Sequence, residues 1–216
     1  FDSSTGVRCN ACGREYPFVD GVWVMWSDEV KRLQLSGMDE IASEAERVKR
    51  ANIEIYDEIS EEYGEHSDGS RPYEDTVLFL RALADDAQSP CARSRQRVMV
   101  DVGCATGISL EAGTKGYRYV VGVDISLANL RVVARKGHVA VLADAARLPF
   151  KSGAIDLVTI FAALHHLPDP DAFTASAARS LRPGGVVLIG CEPSKSASNH
   201  RGLGLLAWEA RKPVYR

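Results

Sequence analysis

Val98-Met99-Val100-Asp101-Val102-Gly103-Cys104-Ala105-Thr106-Gly107 decides how the rest of this chain is read. A β-branched, apolar run ends in an acid, passes through small residues and glycines, and meets Ile108-Ser109-Leu110-Glu111, which can open a helix. Such a strand–turn–helix brings backbone against a bound cofactor at the carboxyl end of a parallel strand. Glycine is required where a Cβ would block close approach or an unusual backbone angle. A dinucleotide fingerprint needs Gly-x-Gly-x-x-Gly. Here Gly103, Ala105 and Gly107 fall at alternate positions, and Ile108 stands where the third fingerprint glycine belongs. That spacing weakens a nicotinamide reading.

Downstream, strand and helix patterns alternate, the signature of a parallel sheet covered on both faces. Residues 117–124 read as a second strand ending in Asp124, followed by Ile125. Ser126 can cap a helix whose stripe is Leu127, Leu130 and Val133 and which Gly137 ends. Residues 139–144 are a third strand ending in Asp144, and residues 155–161 a fourth. A helix over 171–181 stops at Arg182-Pro183-Gly184-Gly185, and residues 186–191 form a fifth strand. Right-handed crossovers place all these strand ends on one edge of the sheet. A carboxylate at the tip of the second strand can accept both hydroxyls of a ribose.

These segments resemble the class I S-adenosylmethionine-dependent methyltransferases. Asp101-x-Gly103-x-Ala105-x-Gly107 is similar to their first motif, with Ala105 in place of the middle glycine, which takes up room near the cofactor's amino-acid end. Asp144-Ala145 with Leu148-Pro149-Phe150 resembles the third motif, whose acid accepts from the adenine amino group while the next backbone amide meets the ring. Residues 155–167, with Phe161 and Ala162, resemble the fourth, and Arg179-x-Leu181-x-Pro183-Gly184-Gly185 the lead into strand five. The resemblance covers roughly residues 97–192. It implies a Rossmann-like, doubly wound, mostly parallel α/β sheet with an N-terminal helical lid and a short β ribbon. It also implies S-adenosylmethionine as cofactor, S-adenosylhomocysteine as product, and a cofactor site of Asp101, Gly103, Cys104, Ala105, Gly107, Asp124, Ile125, Asp144, Ala145, Phe161 and Ala162.

His165 and His166 follow the fourth strand, beside the expected methyl position. Histidine has a suitable pKa for a base, and His166 is the candidate to point inward, with His165 on the substrate side. Paired histidines recur in the resembling family whatever the substrate, so a structural role at a helix start competes with catalysis. No Asn-Pro-Pro-Tyr follows the fourth strand, which argues against amino-methylation of DNA bases. The resembling sheet ends with two further strands, for which the 25 residues after Cys191 leave hardly any room. Residues 202–210 read as a helix instead. Either the sequence is cut or the acceptor side is remodelled.

Three divisions are expected: residues 1–27, 28–90 and 91–216. In the first, Cys9-Asn10-Ala11-Cys12-Gly13 leading into short β segments looks like half a zinc ribbon, similar to segments preceding certain ribosomal RNA guanine methyltransferases. Tetrahedral zinc needs four ligands. Cys9 and Cys12 therefore hold zinc only if another pair lies upstream of Phe1; the alternative is a hairpin with two free thiols. In the second, Ile41, Ala45, Val48, Asn52, Ile55 and Ile59 recur at helical steps, predicting a helix over 38–66 that Gly64 to Pro72 breaks, and residues 75–88 predict another. Tyr56 and Tyr63 flank the first stripe. In the resembling family such a helix closes over the cofactor with its tyrosines facing the pocket; the plain alternative is surface packing.

A hydrophobic content of 45% and a charged content of 25% are ordinary for a folded domain. Net charge is −3, so no global positive field favours nucleic acid or an anionic membrane. No apolar run reaches the length of a membrane span. Five scattered cysteines suit a reducing, cytoplasmic setting. A small-molecule acceptor (a quinone, lipid or secondary metabolite) leads. An rRNA or tRNA base, a non-catalytic cofactor-binding module and a nucleotide-dependent oxidoreductase follow. Oligomeric state is not legible.

Overall fold

The computed structural model describes residues 6–10, 13–25, 28, 31, 33, 43–67, 78, 97–113 and 117–192. Apart from Leu78, the helix expected over 75–88 lies outside the described residues, as do the one expected over 202–210 and Cys12.

The main sheet grows outward from the apolar run before Gly103. Strand β5 (Val98–Val102) lies inside it, with neighbours on both sides. On one side it pairs in parallel with β6 (Tyr119–Asp124), and β6 with β7 (Val139–Leu142). On the other it pairs with β8 (Ile155–Phe161), and β8 with β9 (Leu181–Gly190), also parallel. The inner strands β5, β6 and β8 are mostly apolar because both faces are covered. Alternate residues feed separate cores. Met99, Val120 and Leu142 face α2 (Ile108–Gly113) and α3 (Leu127–Arg135), where Leu110, Leu130 and Val133 lie fully buried. Val100, Val121, Val158 and Ile160 face α4 (Pro170–Ser180) through Phe173 and Ala177. At roughly 2 kcal/mol for each fully buried large apolar side chain, these two layers hold the sheet together.

Strand β9 begins earlier than the Pro-Gly-Gly signal suggests. Leu181 already pairs with Ile155, the register then slips, and Val186 pairs with Leu157. Arg182, inside this bulge, forms an ion pair with Asp156 of β8, whose other oxygen accepts from the Val98 amide at 2.7 Å. Asp156 is a buried acid with its charge balanced, and the bulge supplies the partner.

The described strands before residue 25 divide between two sheets. The pair β1 (Val7–Arg8) and β2 (Glu15–Tyr16) forms its own antiparallel ribbon. The hairpin β3 (Phe18–Val19) and β4 (Val22–Val24) joins the main sheet instead, with β4 parallel to β7 and the Met25 amide donating to Leu142 O at 2.9 Å. The order is β3-β4-β7-β6-β5-β8-β9. Val22 and Val24 are buried against β7, which makes that edge a core strand.

Helix α1 (Glu44–Ser67) starts at a capping box: Glu46 N donates to Ser43 Oγ at 3.2 Å and Ser43 N to Glu46 Oε2 at 3.3 Å. It runs through Gly64, where the sequence predicts a break. Its inward face is also not the expected aliphatic stripe. Of that stripe Ile55 is 53% exposed and Ala45 is exposed while Asn52 is partly buried; off it, Ile53, Ser60 and the Lys49 side chain are buried and Tyr56 is partly buried. The reason is what the helix covers. Its contact is the polar edge of the sheet and the start of α3, so polar residues meet it.

Candidate functional site

The carboxyl ends of β5, β6, β7 and β8, roofed by α1, enclose a cleft of about 220 Å³. Asp101, Gly103, Cys104, Ala105, Asp124, Ile125, Asp144, Ala145, Phe161, Ala162 and His166 all line it, and so does Tyr56 from α1. Three turns distant in sequence therefore share one space.

Asp124 organises the centre. Its Oδ2 accepts from Ala105 N at 2.9 Å and its Oδ1 from Ser126 N at 2.8 Å, tying the loop after β5 to the start of α3. The Ile125 amide is a third donor to this carboxylate, which leaves one acceptor position of about four for a further donor. Gly103 adopts φ +67, and a Cβ there would stand 2.6 Å from Ala163 Cβ, so only bare backbone fits between the two strand ends. Ala105 holds a left-handed φ of 44 without glycine's freedom. Gly107 is absent from the cleft wall; its missing Cβ makes room for Val133 and Leu110, so it serves helix packing.

Asp101 is buried and accepts from Thr159 Oγ1 at 2.6 Å. Burial pushes its carboxyl up to about 7, against hydrogen bonds from Thr159 and Ser109 and with help from the Asp124 charge. Burial likewise lifts Asp124 to about 6, opposed by the Ser126, Ala105 and Ile125 amides. The Cys104 thiol is pushed well up by burial and by both acids, so it is a neutral wall residue. Asp144 Oδ1 accepts from Ala146 N at 2.9 Å and its Oδ2 lies 2.6 Å from Lys49 Nζ.

His166 faces inward and His165 turns away. His166 Nε2 lies 3.1 Å from Tyr56 OH, and Asn52 Nδ2 donates to His166 O at 3.0 Å. Burial, then the neighbouring His165, holds the His166 ring below its ordinary pKa while Glu192 pulls the other way. The ring is therefore neutral at pH 7 and able to take a proton. His165 Nδ1 contacts Glu192 Oε2 at 2.7 Å, outside the cleft wall. Tyr63 follows on α1, its side chain outside the described residues. Cys9 donates its amide to Arg14 O at 2.8 Å in the small ribbon, and among the described residues no cluster of three or more His, Cys, Asp or Glu can hold a metal ion.

Sequence reasoning missed Lys49, Asn52, Asp57, Asn129 and Glu192. Asp57 Oδ1 accepts from Ser126 Oγ at 2.5 Å and Ala128 N at 3.2 Å, docking α1 on the first turn of α3. Asn129 lines the cleft, and its buried Oδ1 has no donor among the described groups. A buried acceptor in that state suits a ligand that brings a donor. The ring of carboxylates, the bare glycine backbone and this orphaned amide oxygen together fit an elongated, cationic, hydroxyl-bearing nucleoside.

Residues 100–189 match a family described as "Methyltransferase domain". The tRNA (carboxymethyluridine(34)-5-O)-methyltransferase ALKBH8 of Macaca fascicularis is 27% identical over 85% of this chain and 25% of its own length. The demethylmenaquinone methyltransferase of Streptomyces avermitilis is 33% identical over 64% of this chain and 58% of its own. This chain thus spans between a quarter and three-fifths of the length of these relatives. Haemonchus contortus phosphoethanolamine N-methyltransferase 1, solved with phosphoethanolamine and S-adenosylhomocysteine, shares the fold with TM-score 0.51 at 20% identity, over 74% of this chain and 35% of that one.

Proposed function

Since the chain carries a class I S-adenosylmethionine-dependent methyltransferase domain, we propose that it transfers a methyl group to a small-molecule acceptor held between the sheet edge and α1. The observation that supports this best is the single cleft in which the Asp101–Gly107 loop, Asp124, Asp144, His166 and Tyr56 meet. In this reading Asp124 accepts from the ribose hydroxyls. Asp144 and the Ala145 amide take the adenine, and the Gly103–Ala105 backbone takes the amino-acid end. Bound there, S-adenosylmethionine supplies an electrophilic methyl on a sulfonium, a good leaving group.

The remaining work belongs to the chain. Positioning an acceptor in line contributes up to about 7–11 kcal/mol, and α1 supplies the wall that excludes water. His166, neutral and hydrogen-bonded to Tyr56, takes the proton from an acceptor hydroxyl, and Tyr56 keeps the ring turned to the cleft. The net charge of −3 gives no general attraction for a polyanion.

A second reading, an RNA nucleoside as acceptor, is favoured by the alignment with the Macaca fascicularis tRNA enzyme over 85% of this chain. Incubating the protein with methyl-tritiated cofactor and cell extract, then separating organic and RNA fractions, distinguishes the two. Label is expected in the organic fraction. Label confined to RNA would move the assignment to the second reading, and label in neither would remove both.

A further inference from the structure

We propose that Glu192 is a positioning residue: its carboxylate clamps the Ala163–His166 turn and so sets the His166 imidazole against Tyr56. The inference deepens the proposed function and rests on it for the role of His166. Glu192 lies just past β9, far in sequence from the turn it holds. Its Oε1 accepts from Ala163 N at 2.9 Å and Leu164 N at 2.8 Å. Its Oε2 accepts from His165 N at 3.1 Å and contacts His165 Nδ1 at 2.7 Å. One side chain thus satisfies three successive amides at the start of the short 3-10 turn Leu164–His166, where Ala163 offers no capping side chain of its own.

Backbone geometry brings the two together. Ala162, after β8, and Cys191, after β9, both take left-handed angles, φ 50 and φ 57, and Ala162 N donates to Gly190 O at 2.9 Å. Side chains rarely adopt this region unless neighbouring contacts hold them in it. Here the two bends fold adjacent strand ends toward one another, and Glu192 ties the fold shut. Burial raises the Glu192 carboxyl, but the hydrogen bonds from His165, then from the Leu164 and His165 amides, outweigh it and keep the group below the usual range. The clamp is therefore anionic across the working pH range.

Position and charge act together on His166. The titratable groups facing its ring are Tyr56 on α1, His165 on its own turn and Glu192 beyond β9. Asp101, Asp124, Asp144, Lys49 and Cys191 line the same cleft. Glu192 favours the protonated ring and His165 opposes it. Glutamine in place of Glu192 would remove the charge and turn an amide NH₂ toward N–H donors, loosening the turn.

The test is a histidine-ring NMR titration of the full chain, with S-adenosylhomocysteine affinity measured alongside. The expected result in Glu192→Gln is a His166 midpoint lower by roughly half a pH unit and ring signals displaced as in Tyr56→Phe. Affinity for S-adenosylhomocysteine should be within about twofold of the parent. Glu192→Asp, which keeps the charge at shorter reach, should fall between the two. An unchanged His166 midpoint and unchanged ring signals in Glu192→Gln would overturn the proposal. Should that variant not fold, Glu192→Asp decides alone: a lowered midpoint supports the clamp and a parental one overturns it. A displaced His166 with an undiminished methyl-transfer rate leaves the clamp standing and removes His166 from the chemistry, so the two ideas fail separately.

Discussion

Lys49 Nζ lies 2.6 Å from Asp144 Oδ2, joining the roof helix to the tip of β7 across 95 residues of sequence. Both side chains are about nine-tenths buried. Removing one partner of such a pair leaves an uncompensated charge, at a cost of about 3 kcal/mol. Lys49→Met and Asp144→Asn should each destabilise the protein, and the double variant should lose much less than their sum. A double-mutant cycle by urea unfolding measures the coupling, expected at about 2 kcal/mol; additive losses would show that the pair does not hold α1 down.

The buried acids set a pH dependence whose sign follows from their folded values. Asp101 and Asp124 rise to about 7 and about 6 in the fold, from 3.8. Between about pH 4 and pH 7 the folded chain therefore binds more protons than the unfolded one, and stability falls as pH rises through that window. The contribution is fully present below the unfolded value and is lost above the folded values. Thermal unfolding without ligand should show this, with a melting temperature that declines from pH 5 to pH 8. Asp101→Asn should flatten that decline, and an equally steep one in the variant would remove Asp101 as its source.

Ala105 occupies a left-handed position that glycine takes without strain. Releasing the Cβ clash is worth about 1–2 kcal/mol, partly offset by the greater freedom of glycine in the unfolded chain. Ala105→Gly should therefore raise stability by roughly 0.5–1 kcal/mol, read from the denaturation midpoint. A loss would mean that the methyl group is packing against something the turn needs.

Gly103 offers the opposite case. Its φ is +67, and an added Cβ would come within 2.6 Å of Ala163 Cβ. Gly103→Ala should therefore cost about 2 kcal/mol and weaken S-adenosylhomocysteine binding at least about tenfold. Ala163→Gly in the same chain should restore the steric part and not the backbone part. Calorimetry on the parent and the two variants checks this.

Tyr56→Phe deletes the hydroxyl that meets His166 Nε2 and keeps the ring. The loss of one partly buried hydrogen bond is about 1 kcal/mol. Turnover should fall about five- to tenfold at unchanged cofactor affinity. Full activity would assign Tyr56 to packing alone.

What could be read from residue order was whatever the chain writes locally. The inner parallel strands are mostly apolar because both of their faces are covered, and each of the three cleft acids stands at or near the end of a strand, so Asp101, Asp124 and Asp144 are legible one turn at a time. Ser126 as a cap and Leu130 and Val133 as a buried stripe follow from the same short-range rules. Folding decided what joins those turns. Asn52 and Tyr56 reach His166 across 114 and 110 residues, and Glu192 reaches the histidine turn from a neighbouring strand. The hairpin Phe18–Val24 carries no sign that its partner is β7. Helix α1 shows the physical reason most clearly. Hydrophobic periodicity identifies the face a helix turns to an apolar core, and this one turns its inner face to a polar cleft, where Lys49, Asn52 and Asp57 gain hydrogen bonds and Ile55 is left in water. Periodicity has no means of registering such a surface, because its partners exist only once the sheet has brought them together.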